Sequence, residues 1–513
     1  MADTSEVLFA RYGPVYRWLV TAFGLTGGFA MVLSATIANV AVPHVMGAFG
    51  VGLDQAQWMA TAFLTAMTVS QLLNHWMTEA FGPRGAYTLT IAVFLVGTAV
   101  GWFAPNIDLL ILGRVLQGFS AGIVTPMVMV TMFEVFPPEK RGLAMGIYGA
   151  GLVLAPALGP AVGGMAIDAF NWRFIFVIPI PFCVVALIGA QLFMPQKHNR
   201  GPIPPFDWAG YLLLATCLAL LMTGAADGIR TGWGSDTIVL LFVGGTAAGA
   251  LFVLWQLKSR HPLLDFGLWR NQRFVAALLV GFVFGAGNFA SSYVIPVFVQ
   301  TVQGYTATGA GLVLMPAGLL LVAILPLTGR IADKLPHHVP IMVGLLFFAV
   351  GVGLMSSSDV NTAFWTFALF ICISRFGLSF MIPSLSIGAL STLEPHQIAR
   401  GSGSLNFIRQ LGGAVGTNLI VVWLQLRTAF HAEGLVTTQT ADNQTSRAFL
   451  ADVSNRLSQA AIPQDLSNFL ALDYLGKVVQ AQALTLGFKD AFLALAAVFV
   501  LALIPAWIFA RTK

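Results

Sequence analysis

The sequence predicts an all-α protein that crosses a membrane many times, and three observations carry that prediction. Of 513 residues, 57% are hydrophobic and only 9% charged, whereas a soluble domain carries about 25% charged residues. Apolar runs almost free of charge recur along the whole chain, each close to the roughly 20 residues a helix needs to cross the hydrocarbon core. The runs lack the strict alternation of a lipid-facing barrel strand, which leaves helices, whose backbone groups are satisfied internally, as the way to span. The expected architecture is a polytopic bundle of fourteen transmembrane helices, two six-helix bundles plus two inserted helices.

Span 1 (18–43) follows Arg11 and Arg17 and is too long for the apolar core of a cleavable signal, so it is expected to stay as a first span. Spans 2 (55–77) and 3 (85–104) meet at the turn His75-Trp76-Met77-Thr78-Glu79-Ala80-Phe81-Gly82-Pro83-Arg84. Span 4 (108–133) contains Arg114, Gln117 and Pro126, and Glu134 ends it ahead of Pro137-Pro138-Glu139-Lys140-Arg141. Span 5 (143–166) holds Pro156 and Pro160, which remove helix hydrogen bonds, among Gly151, Gly159, Gly163 and Gly164, which let another backbone come close. Span 6 (173–194) opens at Trp172-Arg173, and spans 7 (208–226) and 8 (237–257) read as an insertion.

The second half continues with span 9 (274–300), which carries Asn288 and Tyr293, and span 10 (309–328), which ends before Gly329-Arg330-Ile331-Ala332-Asp333-Lys334. Span 11 (339–357) is uncharged; span 12 (363–390) carries Arg375 and Pro383; span 13 (402–426) carries Asn406, Arg409 and Gln410; span 14 (488–510) opens at Asp490. A polar segment, 428–487, separates the last two. Within it, 448–457 and 465–475 show the three-to-four spacing of amphipathic helices. These read either as surface helices resting on the membrane or as a dock for a periplasmic partner.

The acidic-plus-basic turns after spans 2 and 10 match, as do Arg114 with Pro126 and Arg375 with Pro383. The chain therefore divides into an N-terminal six-helix bundle (1–200), two inserted helices (201–260) and a C-terminal six-helix bundle with its long loop (261–513). Such internal repeats are a transporter signature and place a substrate site between the halves near mid-membrane. Lysine and arginine crowd the loops on one side, among them Arg84, Lys140, Arg141, Lys197, Arg200, Lys258, Arg260, Arg270, Arg273, Arg330, Lys334 and Arg400. By the positive-inside rule both termini are expected in the cytoplasm. This loop charge accounts for the net +5, and no basic face or motif points to nucleic acid.

Arg114 admits two readings: a structural arginine tied to neighbouring carbonyls, or a cavity group in proton coupling, since a charge inside a span faces a partner or water. Gln117 shares its face, and Arg375 is the symmetric candidate. Asn39, Asn288, Tyr293, Asn406 and Gln410 are polar residues within spans, either cavity lining or interhelical hydrogen bonds, and Arg409 belongs with this group as a possible substrate contact. All 21 Asp and Glu fall in loops, tails or span ends. Cavity arginines without an acid predict a positive pocket favouring anionic or zwitterionic amphiphiles. Cys183, Cys217 and Cys372 sit in apolar runs without metal-ligand or disulfide spacing. No metal, cofactor or GxxxxGK[ST] nucleotide loop is indicated. Enzyme and sensor readings lack an intramembrane nucleophile or a signalling domain, so neither is expected.

Several runs resemble a known group. Ala155-Pro156-Ala157-Leu158-Gly159-Pro160-Ala161-Val162-Gly163-Gly164 resembles the antiporter motif of drug-exporting major facilitator proteins. Thr36-Ile37-Ala38-Asn39-Val40-Ala41-Val42-Pro43, Gly113-Arg114-Val115-Leu116-Gln117-Gly118, Trp172-Arg173-Phe174-Ile175-Phe176 and Gly401-Ser402-Gly403-Ser404-Leu405-Asn406-Phe407-Ile408-Arg409-Gln410-Leu411-Gly412-Gly413 resemble the fourteen-span drug:proton antiporters of EmrB/QacA type. The resemblance implies the major facilitator fold, efflux of amphipathic compounds by proton antiport, and residence in a bacterial inner membrane. It also implies a membrane-fusion adaptor and an outer-membrane channel as partners, and a cytoplasmic latch of Glu79, Arg84 and Glu134, with Arg330 and Asp333 in the matching turn. An ordinary solvated span end is the other reading of Glu134. Where the family carries an acid before the Thr-Ile-Ala-Asn run, this chain has Val32-Leu33-Ser34-Ala35, and His75 and Glu79 replace the usual Gly and Asp. The close rival is a same-fold exporter of an acidic metabolite, siderophore or lipid-like substrate.

Overall fold

A computed structural model describes residues 5–137, 141–196, 205–259, 262–394, 397–440, 442–460 and 462–511. In chain order its helices are α1 (Ser5–Tyr12), α2 (Val15–Phe49), α3 (Leu53–Ala56), α4 (Trp58–Ser70), α5 (Asn74–Trp102), α6 (Ile107–Val135), α7 (Arg141–Ala169), α8 (Ile180–Phe193) and α9 (Trp208–Thr231). They continue with α10 (Asp236–Lys258), α11 (Gln272–Thr301), α12 (Ala307–Lys334), α13 (His338–Met355), α14 (Phe364–Leu390), α15 (Ile398–Thr437), α16 (Gln444–Gln459), α17 (Gln464–Leu501) and α18 (Leu503–Arg511). Several start at a side chain that satisfies the otherwise unpaired first-turn amides: Asn106 accepts from Leu109 N, Asp207 from Gly210 N and Asn271 from Arg273 N and Phe274 N.

Among the described residues, thirteen helical stretches are long and apolar enough to cross a membrane. The longest, Leu53–Trp102, has 50 residues, about 75 Å of helix at 1.5 Å per residue and more than twice the hydrocarbon thickness. It is broken inside: Gly82 has φ 72° and ψ 162°, a backbone conformation open only to glycine, and Pro83 disfavours a helical Gly82. The expected span 55–77 lies before the break, and 85–104, whose last two residues fall past Trp102, lies after it.

The segment 428–487 departs from the polar loop expected. Helix α15 continues past 426 to Thr437, and α17 starts at Gln464, immediately after Pro463, and runs unbroken into the last span. Apolar composition ends where lipid ends, but backbone hydrogen bonding continues until a breaker stops it, and none interrupts these stretches. The amphipathic stretch 448–457 lies in α16, whereas 465–475 is the first part of α17 rather than a separate helix. Phe449 stacks on Tyr474, centroids 5.8 Å apart. At the base of this projection Asp490 of α17 receives Arg427 Nε at 2.5 Å and faces His431 Nε2 at 2.7 Å, joining α17 to α15.

Packing sorts the long helices into two sets. In the first, α2 lies against α6, α7 and α8, and α5 and α4 against α6; in the second, α11 lies against α15 and α14, α12 and α13 against α14, and α17 against α15. The sets meet where α7 packs on α12, α2 on α11 and α4 on α15. The hairpin α9–α10 covers the last of these junctions, touching both α4 and α15. Asp207 staples its base, accepting from Trp255 Nε1 and Gln256 Nε2 at 2.7 Å each. Outward faces carry bare apolar side chains, such as Leu240, Val243, Leu254 and Trp365, the inverse of a soluble surface and the surface a lipid solvent demands. The protein is a multi-pass integral membrane protein.

Candidate functional site: a cavity between two helix sets

A cavity of about 320 Å³ lies where the sets meet, lined from α2, α4, α6 and α7 on one side and α11, α12, α14 and α15 on the other. Met31, Phe63, Met67, Pro156 and Pro160 contribute apolar wall on the first side, with Phe284, Phe289 and Leu314 opposite. The charge comes from one side only: Arg375 of α14 and Arg409 of α15. No carboxylate lines the cavity among the described residues.

Arg375 is held by α11, Nη1 donating to Asn288 Oδ1 at 2.9 Å and Nη2 to Ser292 Oγ at 3.0 Å. Arg409 Nη2 donates to Asn406 Oδ1 at 2.7 Å, one helical turn earlier. Asn39, Asn288, Asn406 and Gln410 line the cavity as well, so six of the polar residues singled out from the sequence are brought together. Asn39 also reaches across the junction, donating from Nδ2 to Ser292 O at 3.1 Å.

Arg114 and Gln117, expected in this cavity, lie outside its lining. Arg114 is 1% exposed and sits behind the wall, its guanidinium 4.4 Å from the ring of Phe63. It donates from Nε to Met59 O at 2.8 Å and from Nη1 to Ser34 Oγ at 3.1 Å, Ser34 O at 3.3 Å and Gln117 Oε1 at 2.8 Å. Ser34 belongs to the stretch without a carboxylate, so this charge is held by neutral acceptors on α2, α4 and α6. Helical spacing placed Arg114 and Gln117 on one face, but only packing decides which neighbour that face meets. Tyr293 is likewise fully buried and outside the lining. The Arg114→Lys variant keeps the charge and loses the planar fork, costing one or two hydrogen bonds of about 1 kcal/mol each. Thermal unfolding in detergent is expected to shift down, with ligand binding unchanged within about twofold. Unaltered stability would show the fork is dispensable.

The Pro/Gly run of α7 uses two faces. Pro156 and Pro160 line the cavity. A Cβ on Gly159 or Gly163 would strike Thr36 or Ile37 of α2, and one on Gly164 would enter the carbonyl of Ala307 in α12. At that same end Gln300 Nε2 donates to Val40 O at 3.0 Å and Thr308 N to Asp168 Oδ2 at 2.8 Å. With Asn39–Ser292, three hydrogen bonds therefore tie the two helix sets together at the end where α2 and α11 finish. Asp168 was not singled out from the sequence: an acid at a span end carries no local signal of a partner 140 residues away.

In the turn after span 2, Glu79 faces His75 Nε2 at 3.4 Å, and Arg84 Nε donates to Met194 O at 2.9 Å, tying α5 to the end of α8. Arg330 is exposed near the end of α12. The side chains of Glu134 and Asp333, with Lys140, Lys197, Arg200 and Arg260, lie outside the described residues.

Residues 24–417 match the family model for the Major Facilitator Superfamily. Multidrug export protein EmrB of Haemophilus influenzae is 28% identical over 481 residues, covering 93% of each chain. Fatty acid resistance protein FarB of Neisseria gonorrhoeae is 28% identical over 506 residues, covering 97% of this chain and 96% of its own. Among solved structures, a POT family transporter in complex with a thioalcohol-conjugated peptide superposes with a TM-score of 0.67 at 14% identity, covering 96% of each chain, a likeness of fold alone.

Proposed function

Because this chain belongs to the Major Facilitator Superfamily, a family of transporters and not enzymes, we propose that it exports amphipathic small molecules by proton antiport. The two helix sets, 1–200 and 261–513, alternate in exposing the cavity between them, and 201–260 is an inserted pair. The observation that carries the reading is the mainly apolar cavity at the junction of the two sets. It stands beside the likeness to a relative whose name gives multidrug export. On this reading the chain makes fourteen passes through a bacterial inner membrane, with Leu53–Trp102 counted as two. Both termini face the cytoplasm, and the end tied by Asp168 and Gln300 faces outward.

Glu79, Arg84, Glu134, Arg330 and Asp333 belong to the cytoplasmic turns and act there as a latch. Pro156, Gly159, Pro160, Gly163 and Gly164 form the outward seal. Arg375, Arg409, Asn39, Asn288, Asn406 and Gln410 contact substrate, while Arg114 and Gln117 hold α2, α4 and α6 together. The helices projecting around α16 dock a periplasmic adaptor that leads to an outer-membrane channel.

Charge favours one substrate class. Two arginines and no described carboxylate in the lining suit an anionic amphiphile, and one relative is named for fatty acid resistance. Transport into proteoliposomes under an imposed pH gradient tests both readings, with ethidium as the cationic probe and anilinonaphthalene sulfonate as the anionic one. Gradient-driven movement of the anion exceeding that of the cation is expected. No gradient-driven movement of either would end the antiport reading, and a cation preference would end the anionic one.

A further inference from the structure

One seam carries polar atoms that no protein group satisfies. Gln57 at the start of α4 and Thr61 and Thr65 within it precede Val69 at four-residue spacing, so they share one helix face. Val69 lies in one apolar cluster with Phe407 of α15 and with Leu214 and Leu218 of α9, and Leu411 packs against that cluster, which turns this face toward α15 where α9 covers it. The short helix α3, just before α4, also packs on α15, so the two helices run antiparallel away from the Val69 contact. In that direction α15 offers Thr417, Asn418, whose Nδ2 donates to Met222 O of α9 at 3.0 Å, and Gln425.

Both side-chain polar atoms of Gln57, the hydroxyls of Thr61, Thr65 and Thr417, and the amide oxygens of Asn418 and Gln425 are buried without a protein hydrogen-bond partner. Gln57, Thr61, Thr417 and Asn418 are 0% exposed, so lipid headgroups and bulk water do not reach them. Inside a bilayer an unpaired polar group is costly, and polar seams of this kind are where proteins hold ordered water. The row runs between two landmarks: Thr417 lines the central cavity, and Gln57 is buried at the junction with α3, near the end where α2 finishes.

We infer that ordered water molecules occupy the seam between α4 and α15 and form a path along which protons pass between the aqueous face beside α3 and the central cavity. The use of the path rests on the antiport reading above, but the waters do not. Threonine hydroxyls and carboxamides are neutral donors and acceptors, so they orient water without titrating. A proton enters from bulk water, advances as each water gains one O–H bond and gives up another, and leaves to water in the cavity. No carboxylate is needed along the way, which fits a chain whose described cavity lining contains none.

Radiolytic hydroxyl-radical labelling tests the waters directly, since radicals form from water held beside a side chain. Met222, buried and with its carbonyl accepting from Asn418 Nδ2, is the reporter; Met381, also buried but packed on Gly344, is the dry control. Oxidation of Met222 at least fivefold faster than Met381, and slowed in Thr61→Val, is expected; equal slow rates overturn the inference. In proteoliposomes loaded with a pH dye, Thr61→Val is expected to cut proton flux elicited by anilinonaphthalene sulfonate at least fivefold, with binding of that probe unchanged within twofold. Wild-type flux in the variant, or parallel loss of flux and binding, overturns the path. If wild type itself shows no probe-elicited flux, the antiport reading fails, and the labelling result still decides the seam.

Discussion

Gly311→Leu is expected to lower export at least a hundredfold while leaving the protein folded. A Cβ at Gly311 would enter the carbonyl of Pro160, just as one at Gly164 would enter the carbonyl of Ala307. The backbones of α7 and α12 are therefore in direct contact, an approach that small residues alone permit. A leucine there cannot be absorbed by side-chain movement, because the obstacle is main chain. Overpacking of a tight interior costs about 1–3 kcal/mol, and here the relief is separation of the two helix sets at one end. That separation also breaks the bonds made there by Asp168 to Thr308 N, Gln300 to Val40 O and Asn39 to Ser292 O. A bias of about 3 kcal/mol against closure leaves the closed form under about 1% populated from an even start, so each cycle stalls. Size-exclusion profile, probe transport and labelling of a cysteine placed at Thr36 by an impermeant thiol reagent check this. Normal transport with unchanged labelling would show that the α7–α12 seam need not close.

Arg375→Met is expected to weaken binding of tetraphenylborate about tenfold or more and to leave or strengthen that of tetraphenylphosphonium. The two probes share size and shape and differ in charge, so their ratio isolates the cavity's electrostatics. Arg375 is 7% exposed, and Asn288 and Ser292 fix its guanidinium at the cavity wall. Unit charges 4 Å apart interact by about 4 kcal/mol at an effective dielectric of 20. Desolvation of both groups offsets part of this, and 1.4 kcal/mol already gives a factor of ten. Arg375→Lys is expected to restore tetraphenylborate binding, because that anion accepts no hydrogen bond and needs only the charge. Equal losses for both probes would assign Arg375 to structure, as Arg114 is assigned.

Much of the candidate site was legible in residue type. Arg375, Asn288, Asn406, Arg409, Gln410 and Asn39 stand out because polar groups are scarce in spans, and all six line the cavity. The same logic selected Arg114 and Gln117, which pair with each other and with Ser34 behind Phe63. A buried arginine signals that acceptors exist, and backbone carbonyls at Met59 and Ser34 serve as well as a cavity does. Asp168, the pairing of Asp490 with Arg427 and His431, and the row from Gln57 to Gln425 went unremarked, because the partners are remote in sequence or because no protein group partners the atoms.

Composition alone determined the solvent of this protein, its helical class and the approximate place of each crossing, since the cost of burying backbone or charge in hydrocarbon acts residue by residue. Residue identity also set the break at Gly82-Pro83, where backbone geometry is a property of the residues themselves. Tertiary structure decided which face of each helix meets a neighbour, lipid or the cavity. It moved Arg114 and Gln117 out of the cavity, carried α15 and α17 far beyond the apolar runs, and set α9 over the α4–α15 junction. In a bilayer the hydrophobic effect does not rank one apolar face above another, so packing shape and a few long-range hydrogen bonds choose the partners, and neither is written in any single segment.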